Sequence, residues 1–228
     1  MIRGVVFDLD DTLYLERDYV RSGFLFIADL LAKSASISQE EVFSYLWELF
    51  LRGEKGNIFD RCLQQYPGVQ EKFTVTELVA AYRQHRPLIR LFPEIKDWLG
   101  QNQGRFYLGI ISDGPLKSQQ AKVESLGVKQ KILSIILTDT WGKEFWKPNP
   151  YGYKILSEQW GLKEDELVYV GDNPEKDFIV PKKMGWRTLR LRIKGQIHYN
   201  KEPLTATATP DHEVFSLENL LEYLNETR

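Results

Sequence analysis

Short apolar runs that end in acids or small polar residues recur along this chain, and the segments between them carry apolar residues at helical spacing. GVVFDLD (residues 4–10) is a Val- and Phe-rich run of the kind that forms a strand buried on both faces of a parallel sheet. From about Tyr19 to Arg86 the pattern turns helical throughout. YVRSGFLFIADLLAK (19–33) has one apolar stripe. SQEEVFSYLWELFLRG (38–53) opens with Ser38 and Glu41 at capping-box spacing and closes at Gly53. NIFDRCLQQYPG (57–68) and TVTELVAAYRQHRP (74–87) are shorter pieces stopped by Pro67–Gly68 and by Pro87, so this block predicts about four helices and no strand.

Beyond Pro87 strands and helices alternate. Helical PEIKDWLGQNQ (93–103) precedes the strand RFYLGIISDG (105–114), and PLKSQQAKVESLGV (115–128) is a helix with proline near its start and glycine near its end. SIILTD (134–139), ELVYVGDN (166–173) and RTLRLR (187–192) read as strands, and residues 148–162 and 174–186 as a helix and a turn with a short helix. The tail, 212–227, offers a last short strand and a helix. This alternation implies βαβ units. The predicted fold is α/β: a doubly wound, Rossmann-like parallel sheet core of residues 1–14 and 88–228, with an all-helical cap domain, 15–87, inserted after the first strand.

Composition adds bounds. The 228 residues, 43% apolar and 27% charged, are ordinary for a globular protein. A net charge of −2 gives no case for a nucleic-acid or membrane surface, and no stretch is long and apolar enough to span a bilayer. No secretory signal is read at the N-terminus, and the one cysteine, Cys62, cannot form an internal disulfide, which fits a reducing cytoplasm. A cytoplasmic monomer or homodimer is the expectation. There is no Walker phosphate loop and no dinucleotide fingerprint.

The chemistry lies where the strands end. Ligands of open α/β sheets bind outside the carboxyl ends of the strands. There the first strand delivers Asp8 and Asp10, the second Ser112, Asp113 and Gly114, and the fourth Asp172, Asn173 and Asp177, while Lys147 follows the third in WKPNP. Crowded carboxylates repel and raise their own pKa values, and a hard divalent cation removes that cost. Oxygen ligands suit Mg²⁺, which keeps room for water and phosphate oxygens.

The ordered motifs DLDDT, SDG, the lysine before PNP, and GDNPEKD resemble those of the haloacid dehalogenase superfamily, in its phosphatase type with a helical cap of the C1 kind. The resemblance implies a Mg²⁺-dependent phosphatase acting on a small soluble phosphomonoester, with a small phosphorylated metabolite as its partner. It makes Asp8 the nucleophile and Asp10 the general acid and base. Ser112 and Lys147 are implied to contact the phosphoryl group, with Asp113 and Gly114 beside Ser112 among the substrate-binding residues. Asp8, the carbonyl of Asp10 and Asp172 would bind the metal, with Asn173 and Asp177 behind them. A phosphomutase of the same superfamily and a non-catalytic binding module stay open, whereas the dehalogenase chemistry generally lacks an acid at the position of Asp10. Arg52, Lys55 and Asn57, in the turn RGEKGN, are candidates for substrate contact, as are Arg17 and Arg21. Asp11, where many relatives have glycine, reads as a solvated turn residue, Thr12 as a brace of the turn, Asp113 as a helix-cap or turn residue, and Asp139 as part of a solvated loop.

Overall fold

In the computed structural model, which describes residues 1–227, six parallel strands form one sheet in the order β3-β2-β1-β4-β5-β6. They are β1 (Gly4–Phe7), β2 (Tyr107–Ser112), β3 (Ser134–Leu137), β4 (Leu167–Gly171), β5 (Arg187–Leu191) and β6 (His212–Val214). The chain builds outward from β1 to β3, then crosses back to place β4 against the other side of β1. That reversal makes the β1–β4 edge the topological switch point, where open sheets hold ligands. Central strands β1 and β4 are buried along their whole length, while the outer strands β3 and β6 are only partly covered. This is why the central runs lack polar alternation.

The chain divides into two compact units, Met1–Arg17 with Arg90–Arg228, and Asp18–Ile89. The second holds most of α1 (Glu16–Ser34), then α2 (Gln39–Leu51), α3 (Ile58–Gln65), α4 (Pro67–Gln70) and α5 (Val75–Gln84). Phe24, Ile27, Leu31, Leu46, Cys62 and Leu78 are central to a core of its own. Ser38 Oγ accepts the Glu41 N–H, and Thr74 with Glu77 forms a complete capping box at the start of α5. The sequence reading has Pro67–Gly68 only stopping a helix. Instead Pro67 opens the short helix α4, because a first-turn proline loses no intrahelical bond.

The sheet unit carries α6 (Pro93–Asn102), α7 (Leu116–Leu126), α8 (Tyr151–Trp160), α9 (Ile179–Met184) and α10 (Leu217–Glu226). Alternate residues of β1 face opposite layers. Phe7 meets Trp98 of α6 edge-on at 6.1 Å between ring centroids. Val6 joins the cluster of Tyr153 and Leu156 from α8 and Tyr169 from β4. Helices therefore cover both faces, as the alternation predicts. Among the described residues no helix is long and apolar enough to cross a membrane.

Candidate active site

Because β1 pairs in register with both β2 and β4, the residues that follow them emerge at one edge of the sheet. There Asp8, Asp10, Asp113, Gly114, Lys147, Asp172 and Asn173 line a cavity of about 300 Å³. The Asp8 N–H still donates to Val170 O at 2.8 Å, so the carboxylate leaves the sheet from a fixed backbone position.

Lys147 is the hub. Its fully buried ammonium donates to Asp8 Oδ1 (2.7 Å), Asp177 Oδ1 (2.8 Å) and the Tyr169 hydroxyl (2.9 Å). Its backbone N–H donates to Asp113 Oδ1 at 3.0 Å. Burial opposes the lysine's charge, but Asp177 and Asp8 outweigh it and raise its pKa well above the ordinary value. The second oxygen of Asp177 accepts the Asn173 N–H at 2.9 Å. Asp177 packs so closely under β4 that a Cβ at Gly171 would lie 2.5 Å from its Oδ2. Glycine is therefore required there for a steric reason.

Asp8 and Asp10 sit in opposite surroundings. Burial pushes the Asp8 carboxyl up to about 6, against the pull of Lys147. Burial would raise Asp10 too, yet its pKa is lowered, because Lys122 donates to both of its oxygens at 2.8 Å and the Tyr14 hydroxyl and the Gln119 amide (2.9 Å) donate as well. Gln119 Nε2 also reaches Ser112 Oγ at 2.6 Å and Asp113 O at 2.8 Å, tying the ends of β1 and β2 together. Gln119 and Lys122 were not singled out from the sequence. Their signal was present: 119, 122, 123 and 126 share one face of α7, so two polar residues fall on its buried stripe.

The carboxylates fit a divalent cation. Asp8, Asp172 and Asp177 each offer an oxygen, all within 4.8 Å of one another. Asp172 Oδ2 is buried with no hydrogen-bond partner among the described residues. Burial first, and then the neighbouring Asp177, Asp11 and Asp8, drive the Asp172 pKa well above its ordinary value. An orphaned, buried oxygen beside two further acids is costly unless a cation completes it. Both Asp177 oxygens are occupied by donors, which leaves Asp8 and Asp172 as the carboxylates with room for a metal.

Several expectations need correction. Asp11 is not solvated: it is 1% exposed, with a left-handed φ of 53°. Its carboxylate accepts the Glu16 N–H (2.7 Å) and the Ile197 N–H (2.6 Å), pinning the 193–199 segment to the catalytic loop. Burial, helped by Glu16, pushes the Asp11 carboxyl up to about 8. Asp tolerates the left-handed region better than most side chains, so it fits a turn where glycine is the usual choice. The Thr12 hydroxyl is buried without a partner among the described residues, so it does not brace the turn by a hydrogen bond. Asp113 is no helix cap; besides Lys147 it accepts Thr138 Oγ1 at 2.8 Å. Asp139 accepts Leu116 N at 2.9 Å and Trp146 Nε1 at 3.0 Å, joining the start of α7 to the lysine loop. Arg52, Lys55 and Asn57 lie exposed in the helical unit, between α2 and α3, where Arg52 pairs with Glu48.

Comparison with known proteins agrees with this geometry. The family model of haloacid dehalogenase-like hydrolases matches residues 5–191. The glyceraldehyde 3-phosphate phosphatase of Methanopyrus kandleri is 28% identical over 234 residues, covering 99% of this chain and 98% of that protein. The protein of the same name from Methanocaldococcus jannaschii is 27% identical over 233 residues, covering 100% and 99%. The crystal structure of the putative hydrolase YfnB of Bacillus subtilis, bound to magnesium, shares the fold, with a TM-score of 0.66, 17% identity and coverage of 98% and 99%. A motif set that meets at one sheet edge, and a family model that spans most of the chain, lead to one conclusion: this protein belongs to the haloacid dehalogenase-like hydrolase family, in its phosphatase type.

Proposed function

We propose that the chain hydrolyses a small phosphomonoester through an aspartyl-phosphate on Asp8, with Mg²⁺ held by Asp8, Asp172 and the backbone carbonyl of Asp10. The observation that carries this reading is the Asp8 carboxylate fixed by Lys147 beside the orphaned Asp172 oxygen, at the switch point of the sheet. The relatives that match along the whole chain make glyceraldehyde 3-phosphate the first substrate to assay.

Each residue has a defined task. An Asp8 oxygen attacks phosphorus, the bond from phosphorus to the ester oxygen breaks, and Asp10 delivers a proton to the departing alkoxide. Asp10 then takes a proton from the water that attacks the aspartyl-phosphate, releasing inorganic phosphate and restoring Asp8. The donors around Asp10 match its ionised form, the one that receives the proton from water. To act as the acid, it must be relieved of at least one of them. In this reading Ser112 Oγ and the backbone N–H groups after β2 donate to the phosphoryl oxygens, and Lys147 holds Asp8 in line. A bound cation would neutralise charge on the phosphoryl group and on the two aspartates.

The test is phosphate release from a panel of metabolites, with glyceraldehyde 3-phosphate included, run with Mg²⁺ and with a chelator. Turnover that depends on the cation and is lost with weaker metal binding in Asp172→Ala supports the reading. Equal turnover in chelator, or isomerised ester in place of free phosphate, contradicts it.

A further inference from the structure

Two ammonium groups line the cavity among the described residues, those of Lys147 and Lys176. They are not equivalent. A lysine ammonium has three N–H donors. Those of Lys147 go to Asp8, Asp177 and Tyr169, and the side chain is fully buried. In this arrangement all three donors of Lys147 are engaged.

Lys176 is the reverse case. Its side chain is 31% exposed, and its ammonium makes one long contact, 3.5 Å, with Asp113 Oδ2. Its backbone is firmly held. The Lys176 and Asp177 N–H groups both donate to Asn173 O, and the preceding Glu175 pairs with Lys201. The loop therefore fixes where the side chain starts and leaves its head able to turn toward the cavity. Asp8 and Gly114 line the same cavity, which is where an attacked phosphoryl group has to lie.

We propose that Lys176 is a further cation of the phosphoryl site, one that binds the non-bridging oxygens of the substrate's phosphoryl group in addition to the lysine that holds Asp8. This assignment rests on the phosphatase reading above. Lys176 adds a positive charge that the motif pattern does not assign. A compact, mobile ammonium suits a charge that must follow the phosphoryl group from ester to Asp8 and then to free phosphate. The substrate class is narrowed only at its phosphoryl end, which is common to all phosphomonoesters.

The test compares wild type with Lys176→Met and Lys176→Arg, using inorganic phosphate as the probe. The expected result is a rise in the inhibition constant for phosphate, and a fall of about ten- to a hundredfold in kcat/KM, in Lys176→Met. The fall is equal for esters with and without a second anionic group, Lys176→Arg recovers most of it, and the thermal midpoint is unchanged. Unaltered inhibition by phosphate in Lys176→Met overturns the assignment. A loss confined to esters bearing a second anion overturns it too, because the lysine then touches the leaving group. If the wild type hydrolyses no ester, the proposed function falls separately, and calorimetric binding of phosphate to wild type and Lys176→Met still decides the role of the lysine.

Discussion

Asp8, buried, and Asp10, half-buried, are two residues apart in the same loop and are held by opposite means. Asp8 shares one ammonium with Asp177 and keeps a raised pKa of about 6. Asp10 accepts from Lys122 with both oxygens, and from a phenol and an amide besides, and its pKa is lowered. The lysine that holds Asp8 comes from the loop after β3, whereas the donors to Asp10 come from α7 and from the turn that follows β1. The lesson is that burial alone does not set the state of a carboxylate. The number of donors aimed at it decides, and here one donor set leaves an oxygen for chemistry while the other saturates both.

The largest expected effect breaks the Asp8 half of this contrast. Asp8→Asn keeps the shape and removes the nucleophile, so turnover should fall by about four orders of magnitude or more with the fold intact. Steady-state assay beside circular dichroism checks this, and near-normal activity would refute a covalent route through Asp8. A smaller effect sharpens the Asp10 half. Lys122→Met removes the main group that lowers the Asp10 pKa, so that pKa should rise. The ionised base form is then lost at a higher pH, and the acidic limb of the profile of kcat/KM against pH should move upward. At neutral pH the loss should be about ten- to a hundredfold, no more than the lower end of the usual worth of a general base. An unmoved limb would mean that Lys122 serves packing alone. The smallest effect lies outside the pair. Lys55 is exposed in the helical unit, so Lys55→Ala should leave stability within about 0.5 kcal/mol. Relative rates on a panel of phosphoesters then test whether the RGEKGN turn selects substrate, and an unchanged ranking removes the turn from consideration.

Some of this was legible before any coordinates. The alternation after Pro87 specified a parallel sheet, because runs such as LVYVG lack the polar alternation of a half-exposed strand. The order of motifs pointed to one sheet edge, and the structure does gather Asp8, Ser112, Lys147, Asp172 and Asp177 there. Other features were not legible. Asp11 looked like a surface turn residue, since nothing local says that Ile197, far along the chain, will donate to it. Lys122 and Gln119 looked like ordinary polar helix residues unless the buried face of α7 was traced first. Lys176 looked like any lysine in a turn.

By itself, the sequence determined the α/β class, the two kinds of segment and the acids at the strand ends. Periodicity and strand-end chemistry are local properties, written in neighbouring residues. Only the tertiary structure decided which carboxylate is held at one oxygen and which at both, and which lysine has donors left over. Those outcomes depend on distances between residues over a hundred positions apart, as between Lys122 and Asp10 or Lys147 and Asp8, and no local pattern encodes how many donors will converge on one oxygen.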